Sequence, residues 1–200
     1  MKETLKQELW DIWNAKTGSL SKNREESING ISGQIYWEYD YIIDNLPPFS
    51  NDGSYTFAVI GCNGGRMLSD LLRRHCRCIN IDPLLDPSME DDIKADLDEK
   101  LAEKLNDLET RAVICFSVVE QAENRKRLMQ NLDLIEAPLI LTFQFGNEPP
   151  AFEKQLTNKS LYEMSSVIKN HYVSRFEKCP ILEENSKGKR WPVGLLLLPA

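Results

Sequence analysis

A glycine-rich stretch, Gly61-Cys62-Asn63-Gly64-Gly65-Arg66, follows an apolar run and precedes a segment with helical spacing. Glycine tolerates positive φ and, because it lacks a Cβ, lets a ligand approach the main chain. If a helix starts at Arg66, its free N–H groups point at that ligand. The stretch therefore predicts a ligand-binding turn between a strand and a helix, although a glycine-rich turn without a ligand has the same composition.

A second candidate for ligand binding is Asp82, which follows the apolar run Ile79–Ile81 and precedes Pro83. An acidic side chain at the end of a second strand can accept hydrogen bonds from both hydroxyls of a ribose. The alternative is a solvated loop residue or a cap. Together with the glycine-rich turn, Asp82 favours a ribose-containing ligand.

The elements that must position these residues alternate between two patterns from residue 55 onward. Strand-like apolar runs occupy 55–60, 76–81, 111–116, 138–143, 171–179 and 192–198, and helical spacing occupies 66–75, 97–108, 120–131 and 161–170. This alternation predicts an α/β fold with an open, doubly wound, mostly parallel sheet covered on both faces. The last two strands have no long helix between them, which predicts an antiparallel last strand.

The first 54 residues precede this pattern and are predicted to form an N-terminal helical extension. Residues 2–14 have their apolar side chains on one helical face, and residues 15–33 are polar and predict a mobile loop. The aromatic stretch 34–45 is interpreted as a short helix, although its alternation also allows a strand. The predicted organisation is a helical cap, 1–54, on one compact domain, 55–200.

Residues 55–200 resemble the class I S-adenosylmethionine-dependent methyltransferases. The segment Ala58–Gly65 is similar to the family's glycine loop, G-x-G-x-G, with Gly61, Asn63 and Gly65 at the three positions. Asp82 matches the acidic residue after the second strand. Two further segments, 93–97 and 116–121, resemble those after the third and fourth strands, and the closing helix–strand–strand order also fits.

The resemblance implies a seven-stranded Rossmann-like sheet and S-adenosylmethionine as cofactor. It implies that Asp96 accepts a hydrogen bond from the adenine amine and that Leu97 touches the ring, although Asp96 could also cap the helix at 97–108. The cofactor-binding residues it implies are Gly61, Cys62, Asn63, Gly65, Asp82, Pro83, Asp96, Leu97, Phe116 and Ser117. Glu120 and Gln121 lie near the expected methyl position and could orient a substrate.

Two alternatives differ from this interpretation in chemistry. Many family members carry an acidic residue at the position of Val59, so a non-catalytic binding or partner module of the same shape is one alternative. The other is a nicotinamide-dependent oxidoreductase, whose fingerprint is G-x-G-x-x-G. That fingerprint would place Asn63 and Arg66 at its second and third glycines, which disfavours it.

The aromatic residues of the extension predict a cover for the site. If 34–45 is a helix, Trp37 and Tyr41 share one of its faces, and Tyr36 lies on a neighbouring one. We expect this helix to lie over the carboxyl ends of the strands, with Tyr36, Trp37 or Tyr41 facing substrate or cofactor and the 15–33 loop moving as a lid. The alternative is a helix that only packs against the outer helices of the sheet and does not reach the site.

Composition restricts the partners and the location. The 24 basic and 31 acidic residues give a net charge of −7, which disfavours nucleic acid and is consistent with a small-molecule acceptor. Neither a signal peptide nor a membrane-spanning apolar run is visible. Five cysteines without a C-x-x-C pair indicate reduced thiols in a cytoplasmic protein, and His75–Cys78 has no second ligand cluster that would favour a metal.

Overall fold

The computed structural model describes residues 1–17, 31–49, 54–85, 91–146, 155–181, 183–185 and 188–200. The helices are α1 (Lys2–Thr17), α2 (Ile31–Asn45), α3 (Cys62–Leu72), α4 (Glu99–Asp107), α5 (Arg125–Leu132) and α6 (Asn158–Ser165). The strands are β1 (Thr56–Ile60), β2 (Arg77–Ile81), β3 (Asp92–Ile93), β4 (Ala112–Phe116), β5 (Leu139–Gly146), β6 (His171–Lys178), β7 (Glu183–Asn185) and β8 (Gly188–Pro199).

The strands form one mixed sheet in the order β3-β2-β1-β4-β5-β8-β6. The pairs from β3 to β5 are parallel, and β8 runs antiparallel to both β5 and β6. The predicted doubly wound sheet with an antiparallel last strand is confirmed. The structure adds an eighth strand to the seven predicted, because the polar segment β7 forms a hairpin with the start of β8.

Helices cover both faces of the sheet, which explains why its central strands are almost entirely apolar. Every residue of β1 and of β4 is buried. One apolar cluster packs α4, α5 and α6 against the sheet, and a second packs α1, α2 and α3 against the opposite face. Strands buried on both faces lose the alternation of apolar and polar residues, as these do.

The N-terminal helices belong to the second of these layers. Leu5 and Leu9 of α1 are fully buried. On α2, the Tyr39 ring stacks on Phe116 of β4 with centroids 4.9 Å apart, and the Tyr41 ring lies against the backbone of β8 at Gly194. The helix predicted at 34–45 is confirmed, and it packs directly on the sheet.

Several element boundaries differ from the predictions for local reasons. Helix α3 begins at Cys62 rather than at residue 66, because the left-handed conformation of Gly61 turns the chain into the helix at once. Helix α5 begins at Arg125 rather than at residue 120, because the Asn124 side chain caps it by accepting from the Arg127 amide at 3.0 Å. The last helix spans 158–165 rather than 161–170, with Thr157 as its cap.

The predicted loop at 15–33 is shorter than expected. Residues 15–17 complete α1, and residues 31–33 begin α2. The remaining part, 18–30, lies outside the described residues, and so does the mobility predicted for it.

A buried hydrogen-bond hub ties α5 to the start of β6. Asp133 accepts hydrogen bonds from the backbone amides of Lys169 and Asn170, at 2.8 and 3.0 Å. Its Oδ1 also lies 3.0 Å from Nδ1 of His171, whose Nε2 lies 3.2 Å from the Ala137 carbonyl oxygen. His171 therefore has a structural role at the start of β6.

We expect Asp133→Ala to lower the free energy of unfolding by about 3 kcal/mol, because it leaves two partly buried backbone amides and a buried imidazole without their acceptor. Denaturant unfolding followed by circular dichroism measures the change. The matched control is Glu163→Ala on α6, whose side chain is exposed and should change stability by less than about 0.5 kcal/mol. Equal stability of the two variants would contradict the role of the hub.

The described cysteines, Cys76, Cys78, Cys115 and Cys179, are buried, and none of them forms a disulfide with another described cysteine. Within the described ranges, no group of three or more His, Cys, Asp or Glu side chains is arranged to hold a metal ion. Among the helices of those same ranges, none has the length and the apolar character needed to cross a bilayer.

Candidate functional site

A cleft of about 970 Å³ opens at the carboxyl ends of β1, β2 and β4. Its wall includes Gly61 after β1, Asp82 after β2 and Ser117 after β4. The chain leaves β1 toward β2 and β3 on one side and returns to β4 on the other, so the cleft lies at the topological switch point of the sheet. Ligands of open α/β sheets bind at such a point.

The structure brings most of the predicted cofactor residues together on this wall. Seven of them line the cleft: Gly61, Asp82, Pro83, Asp96, Leu97, Phe116 and Ser117. The other three, Cys62, Asn63 and Gly65, lie in the first turns of α3, where only the backbone is described. Their cofactor contacts remain predictions.

Gly61 joins the ends of three strands at the floor of the cleft. Its φ is 79°, and its amide donates to the Ile81 carbonyl oxygen at 2.9 Å. A Cβ at this position would overlap the Val118 side chain and lie 3.0 Å from the Phe116 carbonyl oxygen. Both the backbone conformation and the close approach require glycine here.

Asp82 is held rigidly although it borders the cleft. Only 6% of its surface is exposed, and its Oδ1 accepts a hydrogen bond from the Leu84 amide at 2.8 Å. Its own amide donates to the Ile93 carbonyl oxygen at 3.1 Å, which ties the end of β2 to β3. The carboxylate is therefore fixed in place at the cleft, as recognition of a ribose requires.

Asp96 and Leu97 form the neighbouring part of the wall. The proposed capping role of Asp96 is wrong, because α4 begins at Glu99 and Asp98 is its N-cap, accepting from the Leu101 amide at 2.8 Å. Asp96 is exposed to the cleft instead. The Leu97 carbonyl oxygen accepts from Nδ2 of Asn131 at 2.8 Å, so α5 fixes this segment.

One face of α5, together with its N-cap, forms a further wall of the cleft. These residues were not predicted from the sequence. Asn124, Arg127, Leu128 and Asn131 all line the cleft. Their spacing of three, four and seven residues is that of a single helical face, which is the signal that could have found them. The cap at Asn124 sets the rotation of the helix and so aims this face at the cleft.

The cleft wall is predominantly acidic. Among the described side chains that line it, four are carboxylates, Asp82, Asp96, Asp98 and Glu123, and one is a guanidinium, that of Arg127. Such a lining attracts cationic ligands and repels phosphate groups.

A buried polar cluster lies directly behind the wall at Ser117. The Ser117 hydroxyl donates to Oε2 of Glu38 on α2 at 2.9 Å, and the Gln144 amide group donates to Oε1 of the same side chain at 3.2 Å. The Gln144 backbone amide donates to Oε1 of Glu120, also at 3.2 Å. We call Glu38, Ser117, Glu120 and Gln144 the carboxyl cluster.

Burial changes the acidity of both glutamates in the carboxyl cluster. Removal from water raises the pKa of Glu38 to about 7. Burial also raises the pKa of Glu120 to about 8, with a further contribution from the nearby charge of Glu38. Each side chain is at most 3% exposed. Near neutral pH the cluster therefore exchanges protons.

Ser117 adopts a backbone conformation that is uncommon for serine, with φ of 49°. Its amide donates to the Thr142 carbonyl oxygen at 3.0 Å, and its own carbonyl oxygen accepts from Nε2 of Gln121 at 2.6 Å. Non-glycine residues held in this region cluster at functional sites. The contacts hold the residue between the cleft and Glu38.

The predicted substrate residues are only partly at the cleft. Gln121 lines it, whereas the Glu120 side chain is buried behind Ser117. Because α5 starts five residues later, Glu120 also lies outside the first turn of that helix. The predicted segment therefore lies at the cleft, but the Glu120 side chain is buried behind its wall.

None of the three aromatic residues predicted to cover the cleft is among the described residues that line it. Tyr36 packs between Trp10 and Trp13 of α1, with ring centroids 5.8 Å from each. Trp37 stacks on Tyr41 at 5.4 Å, over β8. These rings fill the helical layer, where their large apolar surface is buried. The side chains of α2 that reach the strand ends are Glu38 and Tyr39.

Comparison with known proteins gives a likeness of fold alone. No protein-family model matches the chain, and no curated protein is significantly similar in sequence. A phosphoethanolamine N-methyltransferase 2 of Haemonchus contortus, solved with S-adenosylhomocysteine, superposes with a TM-score of 0.52 at 7% identity, covering 82% of this chain and 53% of that one. This chain thus spans about half of that enzyme.

A second solved structure agrees in fold. An arsenic(III) S-adenosylmethionine methyltransferase of Chlamydomonas reinhardtii superposes with a TM-score of 0.50 at 8% identity, covering 78% of this chain and 67% of that one. The sheet order and the antiparallel last strand agree with the predicted resemblance. The chain has the Rossmann-like fold of the class I S-adenosylmethionine-dependent methyltransferases.

Proposed function

We propose that this protein is an S-adenosylmethionine-dependent methyltransferase that acts on a small molecule. The observation that carries the proposal is the acidic cleft at the switch point of a methyltransferase fold. S-adenosylmethionine carries a sulfonium and an ammonium group, and its charge complements four carboxylates facing one guanidinium. A nicotinamide dinucleotide would bring its pyrophosphate to the same lining.

The roles of the wall residues follow from their positions. Asp82 would accept hydrogen bonds from the ribose hydroxyls, because its carboxylate is fixed at the end of β2. Leu97 would pack against the adenine ring and Asp96 would accept from its amine. The turn at Gly61 would pass beneath the methionine part of the cofactor, because it forms the floor of the cleft.

The catalytic task of such a site is mainly one of positioning. Bound S-adenosylmethionine would supply an activated methyl group, which an acceptor takes by in-line displacement at the methyl carbon with the sulfur as leaving group. The protein must hold the acceptor in line and keep water out. The cleft volume of about 970 Å³ suits a cofactor with a small acceptor beside it. The two similar enzymes act on different acceptors, so neither identifies the acceptor of this protein.

A thermal-shift comparison of S-adenosylmethionine, S-adenosylhomocysteine and NAD tests the proposal. A ligand at one hundred times its dissociation constant adds about 2.7 kcal/mol of stability. For a chain of this size, that corresponds to a rise in melting temperature of roughly 5–10 °C. We expect this rise with the first two ligands and not with NAD. A rise with NAD alone would contradict the proposal.

We expect Asp82→Ala to weaken S-adenosylmethionine binding ten- to one-hundredfold, because charge-assisted hydrogen bonds contribute about 1.5–3 kcal/mol. Isothermal titration calorimetry measures the affinity. Asp107→Ala, at an exposed position of α4, is the matched control and should bind normally. Unchanged affinity in folded Asp82→Ala would remove Asp82 from the site.

A module that binds the cofactor without turnover is the second candidate, and one observation favours it. Val59 is fully buried in the apolar cluster shared by α2 and β1, so this position offers no carboxylate to the cofactor. Incubation with methyl-labelled S-adenosylmethionine and a small-molecule extract separates the two candidates. Label in a product of low mass supports the enzyme, and cofactor binding without transfer supports the module.

A further inference from the structure

The carboxyl cluster connects the cleft to a buried acid through a single hydroxyl group. Ser117 lines the cleft, and its hydroxyl donates to Oε2 of Glu38 at 2.9 Å. The other oxygen of Glu38 is occupied by the Gln144 amide group. Glu38 therefore cannot contact a ligand in the cleft directly. The Ser117 hydroxyl group lies between the two.

Resting on the proposed function, we propose that Ser117 and Glu38 form a proton relay, and that the methyl acceptor carries a proton on oxygen or nitrogen that it must lose. In this relay Ser117 is the residue that touches the acceptor. Glu38 acts through it as the final proton acceptor, and Gln144 holds the carboxylate in place. Glu120 is the neighbouring acid that tunes the proton affinity of Glu38.

The step balances without any further reactant. As the acceptor attacks the methyl carbon, the carbon–sulfur bond breaks and its electron pair stays on sulfur. The acceptor's O–H or N–H proton passes to the Ser117 oxygen, and the original Ser117 proton passes to Oε2 of Glu38. The products are the methylated acceptor, S-adenosylhomocysteine and a protonated Glu38, which returns its proton to water when the product leaves.

The surroundings of Glu38 suit a group that must both take up and release a proton. Besides Glu120, the titratable groups that influence it are Tyr39 on α2 and Cys179 after β6, and burial keeps both in their neutral forms by raising their pKa values. Within the described residues, no lysine or arginine forms an ion pair with Glu38 or Glu120. Arg125 instead donates to the backbone carbonyl of Glu120.

A second observation supports the storage of a proton in the carboxyl cluster. Oε2 of Glu120 is buried and has no hydrogen-bond partner among the described residues. An orphaned buried carboxylate oxygen is costly and has to be explained by a proton or by a ligand. A cluster that stores a proton gives this oxygen its proton, and the raised pKa of Glu120 agrees with that state.

The relay limits the acceptor to one chemical class. An alcohol, a phenol or an ammonium group must lose a proton before or during methylation, and a base with a pKa near the working pH removes it efficiently. An acceptor that already presents an unprotonated lone pair, such as a thiolate, gains nothing from the relay. We therefore expect oxygen or nitrogen methylation at this site.

The deciding experiment follows the glutamate carboxyl groups by infrared difference spectroscopy from pH 5.5 to 8.5, with S-adenosylmethionine bound. We expect a buried carboxyl signal that titrates near neutral pH and changes in Glu38→Gln. The control, Glu103→Gln at an exposed site of α4, should leave the signal intact. If no Glu38 signal titrates in this range, the relay is overturned whatever the acceptor.

A kinetic experiment tests whether the proton passes through the Ser117 hydroxyl group. Labelled methyl transfer is measured with phenol, catechol, ethanolamine and 2-mercaptoethanol as probes. We expect transfer to an oxygen or nitrogen probe at a rate that rises with pH through about 7, following Glu38. Glu38→Gln and Ser117→Gly should slow it at least tenfold and flatten the pH profile. Ser117→Gly removes the hydroxyl while fitting the φ of 49°.

The outcomes separate the relay from the methyltransferase proposal. If wild-type protein does not bind S-adenosylmethionine, the proposed function fails. If it binds and both variants keep the wild-type rate and pH profile, only the relay fails. Transfer to 2-mercaptoethanol alone would also overturn the relay. Glu38→Gln, whose side chain does not line the cleft, should bind S-adenosylmethionine within a few-fold of wild type, which excludes a merely structural loss.

Discussion

Replacing Gly61 with alanine is expected to destabilise the protein by about 2–5 kcal/mol and to reduce S-adenosylmethionine binding at least tenfold. A left-handed conformation costs an L-residue about 1–2 kcal/mol. The added methyl group would also overlap the Val118 side chain, and overpacking of this kind costs about 1–3 kcal/mol. Because the turn forms the floor of the cleft, the repacking distorts the binding site as well.

A double-mutant cycle with Val118→Ala separates the two contributions. Val118→Ala removes the γ-carbon that the new methyl group would meet, so Gly61→Ala in that background should cost only the backbone term of about 1–2 kcal/mol. Denaturant unfolding of the four proteins gives the coupling. Equal costs of Gly61→Ala in both backgrounds would show that the two residues do not contact, contrary to the structure.

The sequence was sufficient to predict the sheet, because most of its strands are short runs of apolar residues. The five-residue strands β1 and β4 are buried on both faces and contain almost only apolar residues. The short strand β3 could not be found in this way. It has two residues, Asp92 and Ile93, and it forms through pairing with β2 and through the ion pair between Asp92 and Arg73.

The starts of the helices were harder to predict, because they depend on single backbone conformations. The stretch Cys62–Gly65 has poor helix propensity, yet it is helical because Gly61 turns the chain and the following residues pack on the sheet. Tertiary packing overrides propensity in such cases. The predicted binding turn was therefore placed correctly in the chain, but most of its glycines lie inside α3.

The carboxyl cluster is the part of the site that the sequence did not predict. Glu38 follows Ile35 by three residues and precedes Ile42 by four, so it lies on the apolar face of α2, and that position was a signal for burial. No pattern in the sequence pairs it with Ser117 or Glu120, because those residues are about eighty positions away. Only the folded chain brings the two glutamates together.

The buried glutamates give the largest expected dependence of stability on pH. The pKa of Glu38 is raised from 4.5 to about 7 and that of Glu120 from 4.5 to about 8, in both cases mainly by burial. Between about pH 4.5 and pH 8, the folded protein therefore binds more protons than the unfolded chain. It follows that stability falls as pH rises from about 4.5 to 8 and levels off above.

We expect this loss to be several kcal/mol, since one pKa unit corresponds to about 1.4 kcal/mol and coupling makes the two contributions less than additive. The shifted thiols contribute little below about pH 8.5, because the ordinary pKa of a thiol is 9.0 and burial raises the pKa values of Cys76 and Cys115 further, to about 12. Denaturant unfolding at pH 5, 6, 7 and 8.5 measures the slope. Most proteins with paired carboxylates show the opposite sign over the acidic part of this range.

The double variant Glu38→Gln, Glu120→Gln should have a nearly flat profile, because glutamine keeps the shape of the side chain and has no proton to lose. Above pH 8 it should be more stable than wild type, since no charge is then buried. Glu103→Gln, at an exposed site, should keep the wild-type slope. A wild-type protein whose stability rises from pH 5 to 8, or a double variant that keeps the wild-type slope, would show that these two carboxyls do not store protons.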